Sequence, residues 1–300
     1  MRAVHRISLI TSPEERQAFE RIGIDLQGKG YFEIDESDPR WPHAHRMAVE
    51  FQMLDLSYAE FTEAERRGAT YLMAYGAWEH GYPESFQDGG YERTTYDSTK
   101  VCVSCGVGRI QVSPFRISGA PKWGSRSVRM LCCIQDEFFV TPESWENVFK
   151  PFGIECREVV FHKTGQAVDN MVQLNITSVA RLDVKGLRFN DCPICGHRKY
   201  PYDLTGRYYH PMPENTSAPI FKSDIYWGTD AAAWKTIIVS QELYGAAKKA
   251  GLKGIGFLPC RAQGINPEDS GKLDRCSVFA PIPLRVLPPR VGEDSLGLNS

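Results

Sequence analysis

Apolar and polar positions along the chain change period several times, and each change marks an element. Residues 4 to 10 run apolar or alternate, which predicts a first strand. Ser12-Pro13-Glu14-Glu15 reads as a capping box with proline at the first helical position, opening a helix to about Arg21 with Ala18, Phe19 and Ile22 inward. Residues 27 to 45, rich in Gly, Asp and Pro, read as loop. Thr62-Glu63-Ala64-Glu65 is a second capping box whose short helix Gly68 ends, and Tyr71 to Tyr75 follows as a strand. Tyr91 to Tyr96 and Arg109 to Phe115 predict two more strands, and the apolar run Val128 to Val140 is interrupted by Gln135-Asp136-Glu137. Thr141-Pro142-Glu143 opens a helix in which Trp145, Val148, Phe149 and Phe152 keep the i, i+3, i+4, i+7 stripe. Gly153 closes it, and Ile154 to Phe161 returns as a strand. Val172, Leu174 and Ile176 alternate with Gln173, Asn175 and Thr177, the signature of a half-buried strand.

The later chain repeats this plan. Ile237-Ile238-Val239 is a strand, Ser240 an N-cap, and Leu243, Ala246, Ala247 and Ala250 mark one helix face. Gly251 or Gly254 ends that helix, and Ile255 to Leu258 returns as a strand. Phe138-Phe139-Val140-Thr141 and Ile237-Ile238-Val239-Ser240 thus open the same series of strand, hydroxyl cap, helix, glycine and strand. The final residues, with Pro281, Pro283, Pro288 and Pro289 followed by Gly, Asp and Ser, read as a tail that does not pack.

Composition narrows the function classes. At 300 residues the chain has room for one large domain or two medium ones, and 42% apolar with 24% charged residues is the balance of a soluble globular protein. A net charge of −2 argues against a protein whose main work is gripping phosphate backbones. The N-terminal apolar run is too short for a secretory signal, and the stretch Ala69 to Trp78 is too short to span a bilayer. Nine cysteines, an odd number with Cys132 and Cys133 adjacent, fit reduced thiols in the cytoplasm better than a disulfide framework.

Four of those cysteines carry the candidate chemistry. Cys102-Val-Ser-Cys105-Gly106 and Cys192-Pro-Ile-Cys195-Gly196 are matching knuckles. In each, two thiols three residues apart reach one ion while backbone N–H groups curl around the first sulfur and glycine takes up the positive φ. Together they predict a closed four-thiolate site for one structural Zn2+, with Cys102, Cys105, Cys192 and Cys195 as ligands. Redox pairs usually open a helix after a buried strand, whereas Ser98-Thr99-Lys100 and Asn190-Asp191 are hairpin context. Two disulfides would need an oxidising compartment, and a knuckle that has lost its metal would keep the same sequence. His197 follows Gly196, but a knuckle turn should point its side chain away. His43, His45 and His80 read as loop histidines, with no carboxylate or cysteine at ligand spacing beside them.

The two CxxCG knuckles resemble the double-CXXCG motif family of bacterial, myxobacterial-type proteins, as do Phe221-Lys222-Ser223-Asp224-Ile225-Tyr226-Trp227-Gly228, Ile237 to Ser240, and Leu252 to Phe257. The resemblance covers roughly residues 90 to 260. It implies an immunity protein that neutralises a cognate toxin protein delivered on contact, with no catalytic residue. The expected fold is α+β, with mixed sheets and a few short helices around a zinc-ribbon-like four-cysteine site built from two distant knuckles. Residues 1-90 form an N-terminal α/β segment. Residues 91-280 form the zinc-binding domain, in two related halves (about 91-180 and 181-280), and 281-300 a flexible tail. Consistent with a non-enzyme, the chain shows no nucleophile elbow, Walker loop or HExxH. Trp78, Tyr82, Trp123, Tyr208, Tyr209 and Trp227 are candidate interface anchors if they are not core. The alternative is a nucleic-acid-binding zinc ribbon using Arg109, Arg116, Lys122, Arg126 and Arg129, which the overall charge disfavours. No membrane is expected as a partner.

Overall fold

In the computed structural model, residues 1–261 are described apart from Leu9, 86–89, 202–209 and 215. The first apolar run builds a small unit of its own. β1 (Arg2–Ser8), α1 (Pro13–Arg21), β2 (Tyr31–Asp35), α2 (Trp41–Glu50) and β3 (Leu54–Glu60) give an antiparallel sheet of order β2-β1-β3. Ile7, Phe32 and Ile34 of the sheet pack against Phe19 of α1 and Ala44 and Ala48 of α2. The first capping box forms as its sequence predicts: the Glu15 N–H donates to Ser12 Oγ at 3.1 Å, and Ser12 N–H donates to the Glu15 carboxylate at 2.8 Å.

The stretch 27 to 45 is not the expected loop. β2 alternates exposed Tyr31 and Glu33 with buried Phe32 and Ile34, a pattern only five residues long and hidden between Gly- and Asp-rich flanks. α2 starts with no side-chain cap, and the proline in its first turn, Pro42, is its one local start signal, set in a stretch that reads as loop. His43 and His45 consequently lie on a helix, and the His45 ring sits 4.9 Å from that of Trp41.

α3 (Glu63–Gly68) carries the second capping box and leads into β4 (Tyr71–Gly76). Tyr91 to Tyr96, expected as a strand, forms α4 (Gly90–Thr95) and then β5 (Tyr96–Asp97). Tyr91 and Thr95, four apart and both buried, are one helical face. Of Arg109 to Phe115 only β6 (Ile110–Gln111) is strand, paired with β5.

Two five-stranded mixed sheets follow. The first joins β7 (Arg116–Ile117), β8 (Val128–Arg129), β9 (Phe139–Val140), β10 (Glu155–Phe161) and β11 (Ala167–Asn175) in the order β7-β10-β11-β9-β8. α5 (Pro142–Ser144) continues through a π-type turn, Trp145–Phe149, and a 3-10 turn, Lys150–Phe152, before Gly153 at φ 74°. The remaining elements are β12 (Val179–Ala180), β13 (Asn190–Asp191), β14 (Arg198–Tyr200), β15 (Ile220–Ser223), β16 (Tyr226–Trp227), β17 (Ile237–Ser240), α6 (Gln241–Lys249) and β18 (Ile255–Pro259). They complete a second sheet of order β12-β15-β17-β4-β18 and a small one of order β13-β14-β16. A boundary at residue 90 therefore separates β4 from the strands hydrogen-bonded on either side of it.

The repeated series does take a repeated shape. β9 and β10 both run antiparallel to β11, which lies between them, and β17 and β18 both run antiparallel to β4. In each case the helical segment crosses over one intervening strand. That strand comes later in the chain in the first instance and earlier in the second. Val148, Phe149, Leu174, Leu72, Val239, Leu243 and Tyr244 share one core between the two sheets. Phe221 and Ile238 face a further cluster on the other side of the second sheet, which is why Ile237-Ile238-Val239 reads as an unbroken apolar run.

Candidate metal centre

Each knuckle sits at the turn between two paired strands. Cys102 to Gly106 lies between β5 and β6, and Cys192 to Gly196 between β13 and β14. Their backbones close alike. Cys102 N–H donates to Val107 O at 2.9 Å and Gly106 N–H to Cys102 O at 2.7 Å; Cys192 N–H donates to His197 O at 2.9 Å and Gly196 N–H to Cys192 O at 2.9 Å. Both glycines adopt left-handed backbone, φ 74° at Gly106 and 72° at Gly196. Their surroundings differ: a Cβ on Gly106 would strike the Ala231 carbonyl, whereas Gly196 has nothing near it.

These turns bring four sulfurs from distant parts of the chain together. Cys102 Sγ lies 3.8 Å from Cys192 Sγ and Cys105 Sγ lies 3.5 Å from Cys195 Sγ, and all four are within 4.8 Å of one another. Sulfurs held about 2.3 Å from a central ion at the corners of a tetrahedron stand about 3.8 Å apart. These two separations are therefore of the length that a shared ion requires, and the four cysteines could hold one. The sequence-predicted ligands are thus assembled. Cys105 and Cys192 are buried, Cys102 is half-buried and Cys195 is exposed, with Val107, Tyr226 and Ala233 packed around them.

The backbone readies part of this set for a cation. The Cys105 and Ser104 amides hold the Cys102 thiol below its ordinary range, and those of Cys195 and Ile194 bring Cys192 down to about 6. Burial pushes Cys105 up to about 12. Four thiols so close cannot all ionise without a cation among them, and a divalent metal is the kind of ion that would supply it. No disulfide links the described cysteines. Cys132, Cys133, Cys156 and Cys260 stand outside the cluster.

One neighbour departs from the sequence reading and a second has no place in it. His197 does not point away: its Nδ1 lies 3.4 Å from Cys195 Sγ, beside the exposed sulfur. Lys199, a buried residue of β14, donates to the carbonyls of Cys105, Asp230 and Ala232. It thereby ties the first knuckle to the loop that also crowds Gly106. A lysine between Arg198 and Tyr200 gives no hint of this in the sequence, because the carbonyls come from residues far along the chain.

Trp227 is core, 2% exposed, with its ring near those of Tyr200 and His210. Tyr82 is exposed, and Trp78 and Trp123 are half-buried. Tyr208, Tyr209, Cys276 and the 281-300 tail lie outside the described residues. Of the basic residues after the first knuckle, Arg109 is paired with Glu92 at 2.8 Å, while Lys122, Arg126 and Arg129 gather elsewhere, around Trp78 and Trp123. No helix among the described residues is long and apolar enough to cross a membrane. Compared with known proteins, the chain matches no protein-family model and no curated sequence.

Proposed function

We propose that the chain is a non-catalytic binding protein, held together by one structural Zn2+ at Cys102, Cys105, Cys192 and Cys195, that neutralises a cognate bacterial toxin by covering it. The observation that carries the metal half is the four-sulfur cluster with edges of 3.5 and 3.8 Å. An all-thiolate tetrahedral set favours zinc, and four protein ligands leave no position for a reactive water. The toxin-directed half rests on the resemblance of the two CxxCG knuckles and the downstream segments to double-CXXCG proteins. A reducing compartment suits the free thiols, so the cytoplasm is the proposed location.

Elemental analysis of protein purified without chelator should return about one zinc per chain, and Cys192→Ser should abolish it. Cells expressing the cognate toxin should survive when the chain is co-expressed, and the two proteins should be recovered as a complex. Zinc-free protein of full stability would sink the metal assignment. Protection without any physical complex would sink the binding reading and favour an enzyme.

A further inference from the structure

Arg129 is 2% exposed and enters no ion pair among the described residues. Its guanidinium lies between two indoles, 4.3 Å from the Trp78 centroid and 4.4 Å from that of Trp123. Its Nη1 and Nη2 reach the carbonyls of His80 and Lys122 only at 3.3 Å, and its Nε has no partner. A buried cation so thinly satisfied is costly unless something external compensates it. Burial pushes its pKa down to about 10, in the same sense.

More basic residues lie on the neighbouring backbone. Arg126 lies over Trp78 at 4.6 Å from the ring centroid and is itself exposed. Lys122 is exposed on the same segment, and Lys253 is exposed where its backbone bonds Ser127 and Val128. None of these side chains forms an ion pair among the described residues. Glu79 sits between Trp78 and His80, but its carboxylate acts on Cys132.

From this geometry we infer that the Trp78–Trp123 surface is an interaction site for the carboxylates of an acidic protein segment. The inference rests on the binding-protein reading above and names the chemistry of the partner. A buried Arg129, an exposed Arg126 over the same indole and two exposed lysines on the adjoining backbone, none of them ion-paired among the described residues, favour an oxyanionic ligand. Trp and Arg are residues enriched among interface anchors. A nucleic-acid strand fits less well. Single strands bind by stacking bases on free aromatic faces, and Trp78 already carries His80 stacked at 5.3 Å together with both guanidinium groups.

The test uses the full zinc-loaded chain and a fluorescent polyglutamate peptide, with oligothymidylate and inorganic phosphate as comparison probes, at low and moderate salt. Polyglutamate should bind in a salt-dependent way and quench tryptophan emission. Lys122→Ala/Arg126→Ala should weaken it at least about tenfold with zinc content and melting temperature unchanged, and Arg126→Lys should keep part of the binding. Absent binding, binding indifferent to the double variant, or preference for oligothymidylate or phosphate through the same residues would each overturn the inference. A toxin complex that survives the double variant would refute this surface and leave the binding-protein reading intact. Peptide binding without any toxin complex would do the reverse.

Discussion

At the scale of single residues, the two knuckles share a backbone and differ in what presses on them. Gly106 and Gly196 both need positive φ, which costs a non-glycine residue roughly 1 kcal/mol. Only Gly106 also has the Ala231 carbonyl against it, on the loop that Lys199 fastens. Gly196→Ala should therefore lose about 1 kcal/mol, the strain alone. Gly106→Ala should lose roughly 2 kcal/mol or more, since backbone must also move. Urea unfolding of the zinc-loaded variants measures both, and equal losses would show that the packing against Ala231 is slack. His197 belongs to this scale too. A nitrogen 3.4 Å from Cys195 Sγ shields the one exposed sulfur of the set.

At the scale of elements, the most telling contact is a buried polar chain across four strands or their ends. Glu137, just before β9, pairs with Lys222 of β15 and accepts from Gln173 of β11 at 3.0 Å. Gln173 exchanges amide hydrogen bonds with Gln111 of β6 at 2.7 and 2.9 Å. The alternation of β11 predicts Gln173 outward, yet it is 1% exposed. The strand is covered on both faces there, and the amide is tolerated because its hydrogen bonds are met. Burial pushes the Glu137 carboxyl upward, so its charge depends on Lys222. Lys222→Met should cost about 3–5 kcal/mol by stranding that carboxylate. Adding Glu137→Gln should recover a large part, because the stranded charge is then gone. A single variant within about 1 kcal/mol of wild type in urea unfolding would show that Glu137 is neutral or water-reached.

At the scale of the whole molecule, the four-cysteine cluster brings together the ends of a long loop. Cys102 and Cys192 are 90 residues apart, and the first five-stranded sheet is made entirely between them. Ion binding to the folded form alone adds directly to stability. Cys192→Ser should therefore lower the melting temperature far more than Cys132→Ser, which lies outside the cluster. β1 to β3 have their own apolar cluster around Ile7 and Phe19, so they should respond differently to withdrawal of the ion. With chelator, amide exchange should accelerate first in residues 100–111 and 190–200, while 2–8 stay protected. Uniform acceleration, or equal melting of the two cysteine variants, would contradict a structural ion at this place.

What the sequence determined by itself was local. Hydroxyl caps at Ser12, Thr62, Thr141 and Ser240, glycines at helix ends and knuckle turns, and the CxxCG spacing act over a few residues, and the structure realises them there. The same locality explains the misreadings. β2 and α2 lack strong flanking signals, and Tyr91 to Tyr96 is too short for its period to separate helix from strand. Tertiary structure alone decided that β4 lies within the sheet of β15 and β17, that Lys199 underpins the first knuckle, and that Arg129 is caught between two tryptophans. In each case the partners come from separate stretches of chain. Their proximity depends on the summed packing of the sheets, a quantity that no short window of residues contains.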